Sequence, residues 1–427
     1  MKIDIEVISK ETITPSSPTP ADLRHYHLSY LDQIQPPIFM PLVMFYPSET
    51  NTNGVEQAEK IKKSLSEALT IFYPLAGRIK VDNAYVDCND EGLYFVEAKA
   101  NCYLSDILDR RDPGDNNSFI PFELDDGADT LPAMVQITFF KCGGLAVLIG
   151  MSHKVGDASS LIMFLNCWAA IARGPNAEII APRFEAATLF PPKDISGFQP
   201  RTGIIKENIV TKRFVFDASA VANLRGKYTV DGGRSTRVEA LSAFIWGRFM
   251  AATKAETDEQ SGKLYTVVQA VNLRTRMDPP LSNHYFGNIL RAVFTKPCAA
   301  NEYGPHEIVN QIRDAICKVN AEYVKKLQET DGHLEFMKKA AASFLKGEMV
   351  SFAFTSLCRF PVYETDFGWG KPVWVGSARM TFKNLVTFFD TKSGDGIEMW
   401  INLKEEDMAK FEADEELIAY VSPSPNA

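Results

Sequence analysis

The chain has 427 residues, 45% hydrophobic and 23% charged, with a formal net charge of −9. That length favours two domains of roughly 200 residues, each able to bury its own core without a disulfide or metal staple. The acidic balance, with Lys and Arg scattered, lacks the basic footprint that a nucleic-acid partner requires.

Residues 3–9 (IDIEVIS) alternate and read as a strand, ended by Pro15, Pro18 and Pro20. The start, MKIDIEVISKETITP, has no apolar core of the kind a signal peptide carries. No stretch reaches the roughly 18 apolar residues of a membrane span, so the cytosol is the expected setting. Residues 38–47 (IFMPLVMFYP) are β-prone. From Val55 to Phe72, Ile61, Leu65, Ala68, Leu69 and Phe72 have helical spacing, and Pro74 stops the helix. Short strands follow around 84–97, then an acidic loop over 119–129. Residues 133–140 and 145–152, joined at Gly143-Gly144, predict a hairpin. Its second strand is apolar almost throughout, as a strand buried on both faces is. A helix then runs from Ala158 to about Arg173, closed by Gly174-Pro175.

Residues 181–212 carry Pro182, Pro191, Pro192 and Pro200 and read as a crossover linker. It separates an N-terminal domain, 1–180, from a C-terminal domain, 213–427. Arg213–Asp217 starts a strand. Thr236 to Glu239 fits a capping box before a helix with its stripe at Leu241, Phe244, Ile245 and Phe249. Beyond it the pattern predicts a strand over 265–271 and one helix over 307–328. Strands at 349–359, 373–377 and 384–389 and a closing helix over 406–420 follow. Strands and helices mix in both halves, which indicates two α/β domains. The seven cysteines are odd in number and form no C-x-x-C pair, so reduced thiols are expected.

The segment Ser152-His153-Lys154-Val155-Gly156-Asp157 lies where a buried strand gives way to a helix. In α/β folds functional groups collect there, because the strand end opens onto a crevice. Three roles are open to His153: satisfying a hydrogen bond at the strand end, ligating a metal with Asp157, or acting as a general base. The other histidines (His25, His27, His284, His306 and His333) supply no H-E-x-x-H motif for a metal. No G-x-S-x-G supports a serine hydrolase. Asp157 immediately precedes the helix, where it can serve as its N-cap.

His153 to Asp157 fits the pattern H-x-x-x-D, and Asp366-Phe367-Gly368-Trp369-Gly370 follows some 210 residues later. Between and around them stand FYPLAGR (72–78), Asp87-Cys88, VNLR (271–274), YFGN (285–288) and SGDG (393–396). In these landmarks and their order the whole chain resembles the BAHD acyltransferases, the plant coenzyme A-dependent acyltransferases. SSPTP (16–20), QAVNLRTRMDPPL (269–281) and DFGWGKP (366–372) are most similar to the branch that acetylates alkaloids.

The resemblance implies an α/β fold of two similarly built chloramphenicol-acetyltransferase-like domains with mixed sheets and a channel between them. It implies O-acyl transfer, in the first instance acetyl from acetyl-CoA to a hydroxyl of an alkaloid or similar metabolite. His153 would take the acceptor's proton and return it to the leaving thiolate. Asp157 would be structural, paired with Arg274, and the loop Asp366, Phe367, Gly368, Trp369, Gly370 would lie off the chemistry. Asn288 is a candidate donor to the oxyanion, or else a turn asparagine. Arg234, Ser235, Thr236 and Arg237, at a capped helix start, are candidates to meet the phosphates of coenzyme A, or form an ordinary solvated cap. No tightly bound cofactor, metal, nucleic acid or membrane partner is implied, and a monomer is. An aromatic or longer acyl donor, an amine acceptor and a non-catalytic metabolite-binding relative are the alternatives.

Overall fold

The computed structural model describes residues 3–48, 54–124, 126–200, 208–229, 233–253, 263–299, 302, 304–378, 380 and 382–422. The first eight strands are β1 (Ile5–Ile13), β2 (His25–His27), β3 (Phe39–Tyr46), β4 (Arg78–Lys80), β5 (Tyr85–Asp87), β6 (Leu93–Ala100), β7 (Ala133–Phe140) and β8 (Leu145–Ser152). Seven more follow: β9 (Ile209–Phe216), β10 (Leu264–Asn272), β11 (Leu290–Phe294), β12 (Met349–Ser356), β13 (Trp374–Gly376), β14 (Leu385–Asp390) and β15 (Ile397–Lys404). They belong to two compact units, each discontinuous in sequence. No described helix is long and apolar enough to cross a membrane.

The first unit comprises Met1–Ser196, Leu281–Ile289 and Phe360–Met380. Its main sheet has the order β1-β6-β7-β8-β3-β13, and β2-β5-β4 form a small second sheet. Pairing in the main sheet is mixed, with β6 and β7 parallel and the other neighbours antiparallel. The predicted hairpin is β7–β8, and Gly143 takes φ +79° in its turn, a conformation that favours glycine. Every residue of β8 is buried, as its unbroken apolar run requires. The helices Gly54–Ile71 and Ala158–Arg173 pack on each other, and Trp168 Nε1 donates to Ser64 Oγ at 3.1 Å.

The second unit comprises Gly197–Pro280, Leu290–Arg359 and Thr381–Ala427. Its mixed sheet runs β11-β10-β12-β14-β15-β9, with β10–β12 and β12–β14 parallel. Phe244, Phe352, Phe354, Phe388, Met399 and Ile401 lie in its core. The capping box forms: Thr236 Oγ1 accepts from Glu239 N at 3.1 Å, and the Glu239 carboxylate accepts from Thr236 N at 2.8 Å.

Several boundaries differ from the sequence expectation. Contiguous domains put 281–289 and 360–380 in the C-terminal half. Both instead complete the first unit, because β13 pairs with β3 and backbone N–H groups of 287–289 bond to Ser160, Asp32 and Asp157. The expected linker holds a one-turn helix, Ala186–Leu189, and β9 begins four residues before Arg213. Residues 201–207 of that linker lie outside the described residues. The expected 307–328 helix divides into Pro305–Cys317 and Ala321–Glu329, because Asn320 accepts from Tyr323 N at 2.9 Å and caps a new start. Asp414 likewise splits the closing helix into Glu405–Glu412 and Glu415–Ile418. The helix Gly332–Leu345 and strand β15 were not anticipated. All seven cysteines are free thiols.

Candidate active site

His153 sits in the turn between β8 and the helix Ala158–Arg173. Its own N–H donates to Ile38 O at 2.8 Å, and Val155 N closes the turn on Ser152 O at 3.0 Å. Gly156 allows the close return of the chain: a Cβ there would stand 2.8 Å from the Ser160 Cβ. Asp157 caps the helix, accepting from Ser160 N at 3.0 Å. The strand end and the helix start therefore hold the histidine from both sides.

The His153 ring is half-buried. Its Nδ1 lies 3.2 Å from the Gly156 carbonyl, which can only accept, so Nδ1 carries the proton in the neutral ring. The lone pair is left on Nε2, the atom a base would use. Burial holds the pKa below the ordinary value of 6.5, against the opposing pull of the Asp157 carboxylate. At neutral pH the ring is thus an unprotonated acceptor with a fixed tautomer.

Asp157 does more than cap. Its second oxygen accepts from Ile289 N at 3.1 Å, and Ser160 Oγ accepts from Gly287 N at 3.0 Å. The 287–289 segment is thereby fastened to the helix start. Asn288 is fully buried, and its side-chain NH₂ is committed. Nδ2 donates to His153 O at 2.7 Å and to Asp32 Oδ1 at 2.8 Å. Reversing the amide would set its oxygen against two acceptors, so this orientation is fixed. Both N–H hydrogens being spent, Asn288 has none left for an oxyanion. The expectation of a donor at Asn288 is corrected on this ground: the residue holds the histidine's backbone.

Arg274 is fully buried in the second unit, in a short 3₁₀ turn (Arg274–Arg276) after β10. Its backbone N–H donates to Asn272 Oδ1 at 3.0 Å.

The 366–370 loop is built as a packing device in the first unit. Asp366 Oδ1 accepts from Gly368 N at 2.7 Å and Gly370 N at 3.0 Å, while both glycines take left-handed φ, +99° and +92°. Phe367 is fully buried, stacked on Trp369 at 5.6 Å and edge-on to Trp168 at 4.8 Å. Lys60 Nζ lies 5.3 Å from the Trp369 ring centroid, and Arg173 Nη1 ties down Asp366 O at 2.7 Å. Each residue of the motif serves the turn or its packing.

The proposed phosphate contacts are unequally free. Arg234 is exposed. Arg237 pairs with Asp390 at 2.8 Å, and its Nη1 donates to Gly394 O at 3.3 Å. Ser235 is fully buried, and its hydroxyl donates to Arg225 O at 3.3 Å. Glu239 takes the Thr236 N–H and brings negative charge to the helix start. Ser235 is therefore part of the local packing, and Arg234 is the more available of the two arginines. Among the described residues no group of three or more His, Cys, Asp or Glu side chains gathers as a metal site would.

Two site residues escape sequence reasoning. Asp32 is fully buried and bound to Asn288. Lys154 is buried beside the histidine, and its ammonium donates to Gln33 O at 2.6 Å. A signal existed for the first: Ser29-Tyr30-Leu31-Asp32 has capping-box spacing, and the box forms.

A model of the transferase family matches residues 3–418. A limonoid 21-O-acetyltransferase of Melia azedarach is 38% identical over 427 residues, covering 99% of each chain. Stemmadenine O-acetyltransferase of Catharanthus roseus is 36% identical over 426 residues, 97% of each. Vinorine synthase of Rauvolfia serpentina is 36% identical over 421 residues, 96% of each. A crystal structure of vinorine synthase matches with a TM-score of 0.84 at 35% identity, covering 98% of this chain and 99% of that one.

Proposed function

The chain belongs to the BAHD family of acyltransferases, and on that premise we propose that it transfers an acetyl group from acetyl-CoA to a hydroxyl of an alkaloid or similar specialised metabolite. The observation that carries the mechanism is the neutral His153 ring, with Nδ1–H committed to Gly156 and Nε2 left with its lone pair. Relatives whose names specify O-acetylation of a limonoid and of stemmadenine support both the acetyl group and the oxygen acceptor.

In this mechanism Nε2 takes the acceptor's hydroxyl proton while its oxygen attacks the thioester carbonyl carbon. The new C–O bond leaves a tetrahedral oxyanion. Its collapse breaks the C–S bond, and the proton on Nε2 passes to the departing thiolate. General-base help of this kind is worth about 10²–10⁴-fold, and holding both substrates at one ring supplies much of the rest. No acyl-enzyme is needed.

Asp157 acts structurally in this proposal, capping the helix and holding the 287–289 segment, and Arg234 is a contact for the nucleotide end of coenzyme A. A monomer in the cytosol completes it. The test is thiol release from acetyl-CoA with a panel of hydroxylated alkaloids and limonoids. Wild type should turn over at least one acceptor, and His153→Ala should lose at least about 100-fold in kcat. Undiminished turnover in that variant would end the proposal.

A further inference from the structure

Asp32 is fully buried, and no step of the acyl transfer uses it. Both of its oxygens are occupied. Oδ2 accepts from Ser29 N at 2.8 Å and Ser29 Oγ at 2.6 Å. Oδ1 accepts from Asn288 N and Asn288 Nδ2, each at 2.8 Å. The remaining Asn288 N–H reaches His153 O at 2.7 Å. At the other end of the same turn, the buried Lys154 ammonium donates to Gln33 O at 2.6 Å and Gln35 O at 3.1 Å. The turn is itself anchored, since Gln33 exchanges two hydrogen bonds with the Lys193 backbone and Tyr30 N donates to Phe190 O.

We propose that the turn Ser29–Gln35 is the platform that positions His153, with Asp32 acting through Asn288 on the histidine carbonyl and Lys154 gripping the turn's far end. Stability is a weak reason for such an arrangement. Burial pushes the Asp32 carboxyl up to about 6 despite its four donors, and buried charges seldom contribute net stability over apolar side chains of the same shape. Geometry is the stronger reason. The N–H of residue 153 is fixed to Ile38 and its C=O to Asn288, so neither flanking peptide plane can rotate. The carbonyl that receives Nδ1–H lies in the same turn, at Gly156. Catalytic groups must be held to within about 0.5 Å, and a misplacement of about 1 Å costs up to about 100-fold. Asp32, Asn288 and Lys154 are thus positioning residues.

The inference rests on the reading of His153 as the base for its kinetic arm alone, and the test has a second arm that needs no activity. Asp32→Asn, nearly isosteric, and Lys154→Met are compared with wild type in kcat, both KM values and melting temperature. Long-range ¹H–¹⁵N spectra of histidine-labelled protein report the ring tautomer, with His153→Ala assigning the signal. We expect kcat to fall about 10- to 100-fold with each KM within about threefold. In both variants the single Nδ1–H tautomer of wild type should give way to a mixture. An unchanged tautomer with kcat within about twofold overturns the proposal. Should Asp32→Asn fail to fold, Ser29→Ala removes one donor to the carboxylate, and the same two readouts decide. If wild type releases no thiol with any acceptor, the acyltransferase reading fails, and the tautomer spectra alone decide the platform.

Discussion

Asn288→Asp changes one NH₂ group to an oxygen and tests the geometry at the heart of the site. In wild type that NH₂ donates to Asp32 Oδ1 at 2.8 Å and His153 O at 2.7 Å. The substitution sets a carboxylate oxygen against both. Two like charges 2.8 Å apart repel by about 6 kcal/mol at an effective dielectric near 20, more than four pK units, so the pair keeps one proton. The Asp32 carboxyl already stands at about 6, and holding a proton there at pH 7 costs about 1.4 kcal/mol. The His153 carbonyl, left without its donor, adds about 1–3 kcal/mol. The total is about 3 kcal/mol at pH 7. At about 2–4 °C per kcal/mol for a unit of this size, the melting temperature should fall by about 6–12 °C. A carboxyl whose folded pKa is raised gives stability that is complete below its unfolded pKa and is lost as pH rises through the folded value. The deficit against wild type should therefore grow from pH 6 to pH 8, by about 1.4 kcal/mol per unit while the proton is held. Calorimetry at pH 6, 7 and 8 measures it, and thiol release should show a kcat loss of at least about tenfold. A deficit under about 1 °C, or one that shrinks with rising pH, would refute the reasoning.

Other outcomes follow from the same structure. With neutral His153 as the base, kcat/KM should plateau at and above neutrality and fall only on acidification, with its acid limb below pH 6.5 because burial lowers the ring's pKa. An acid limb above pH 7 would contradict this. Asp366→Ala removes the acceptor of two glycine N–H groups and should cost about 1–3 kcal/mol in thermal unfolding. An unchanged melting temperature would show that the loop does not depend on that turn. Arg234→Glu should raise the acetyl-CoA KM several-fold, about 1 kcal/mol, with kcat retained. An unchanged KM would retire the phosphate contact.

Contiguous features were legible and remote ones were not. The hairpin β7–β8, the helix after His153 and the 366–370 turn announce themselves through apolar runs, caps and glycines close in sequence. The role of Asn288 depends on Asp32, 256 residues away, and on the His153 carbonyl, so no local pattern reveals that its amide is spent. Lys154 reads as an ordinary surface lysine until the carbonyls of Gln33 and Gln35 are seen to surround its ammonium. The break at Asn320 follows from a side-chain cap that outweighs continuing helical periodicity. Strand β15 is a different case. Ile397, Met399, Ile401 and Leu403 alternate with Glu398, Trp400, Asn402 and Lys404, a period-two signal present in the sequence.

The late arrival of β13 and Asn288 bears on how the protein is made. On the ribosome, His153 emerges 135 residues before the asparagine that fastens it, a delay of about 7–27 s at 5–20 residues per second. Throughout that interval the outer side of β3 has no neighbour, because Trp374–Gly376 has yet to be synthesised. A bare strand edge invites pairing with another chain. The nascent first unit is therefore a natural client for chaperones, and a fragment stopping at Ser196 would be prone to clump rather than to behave as an autonomous module.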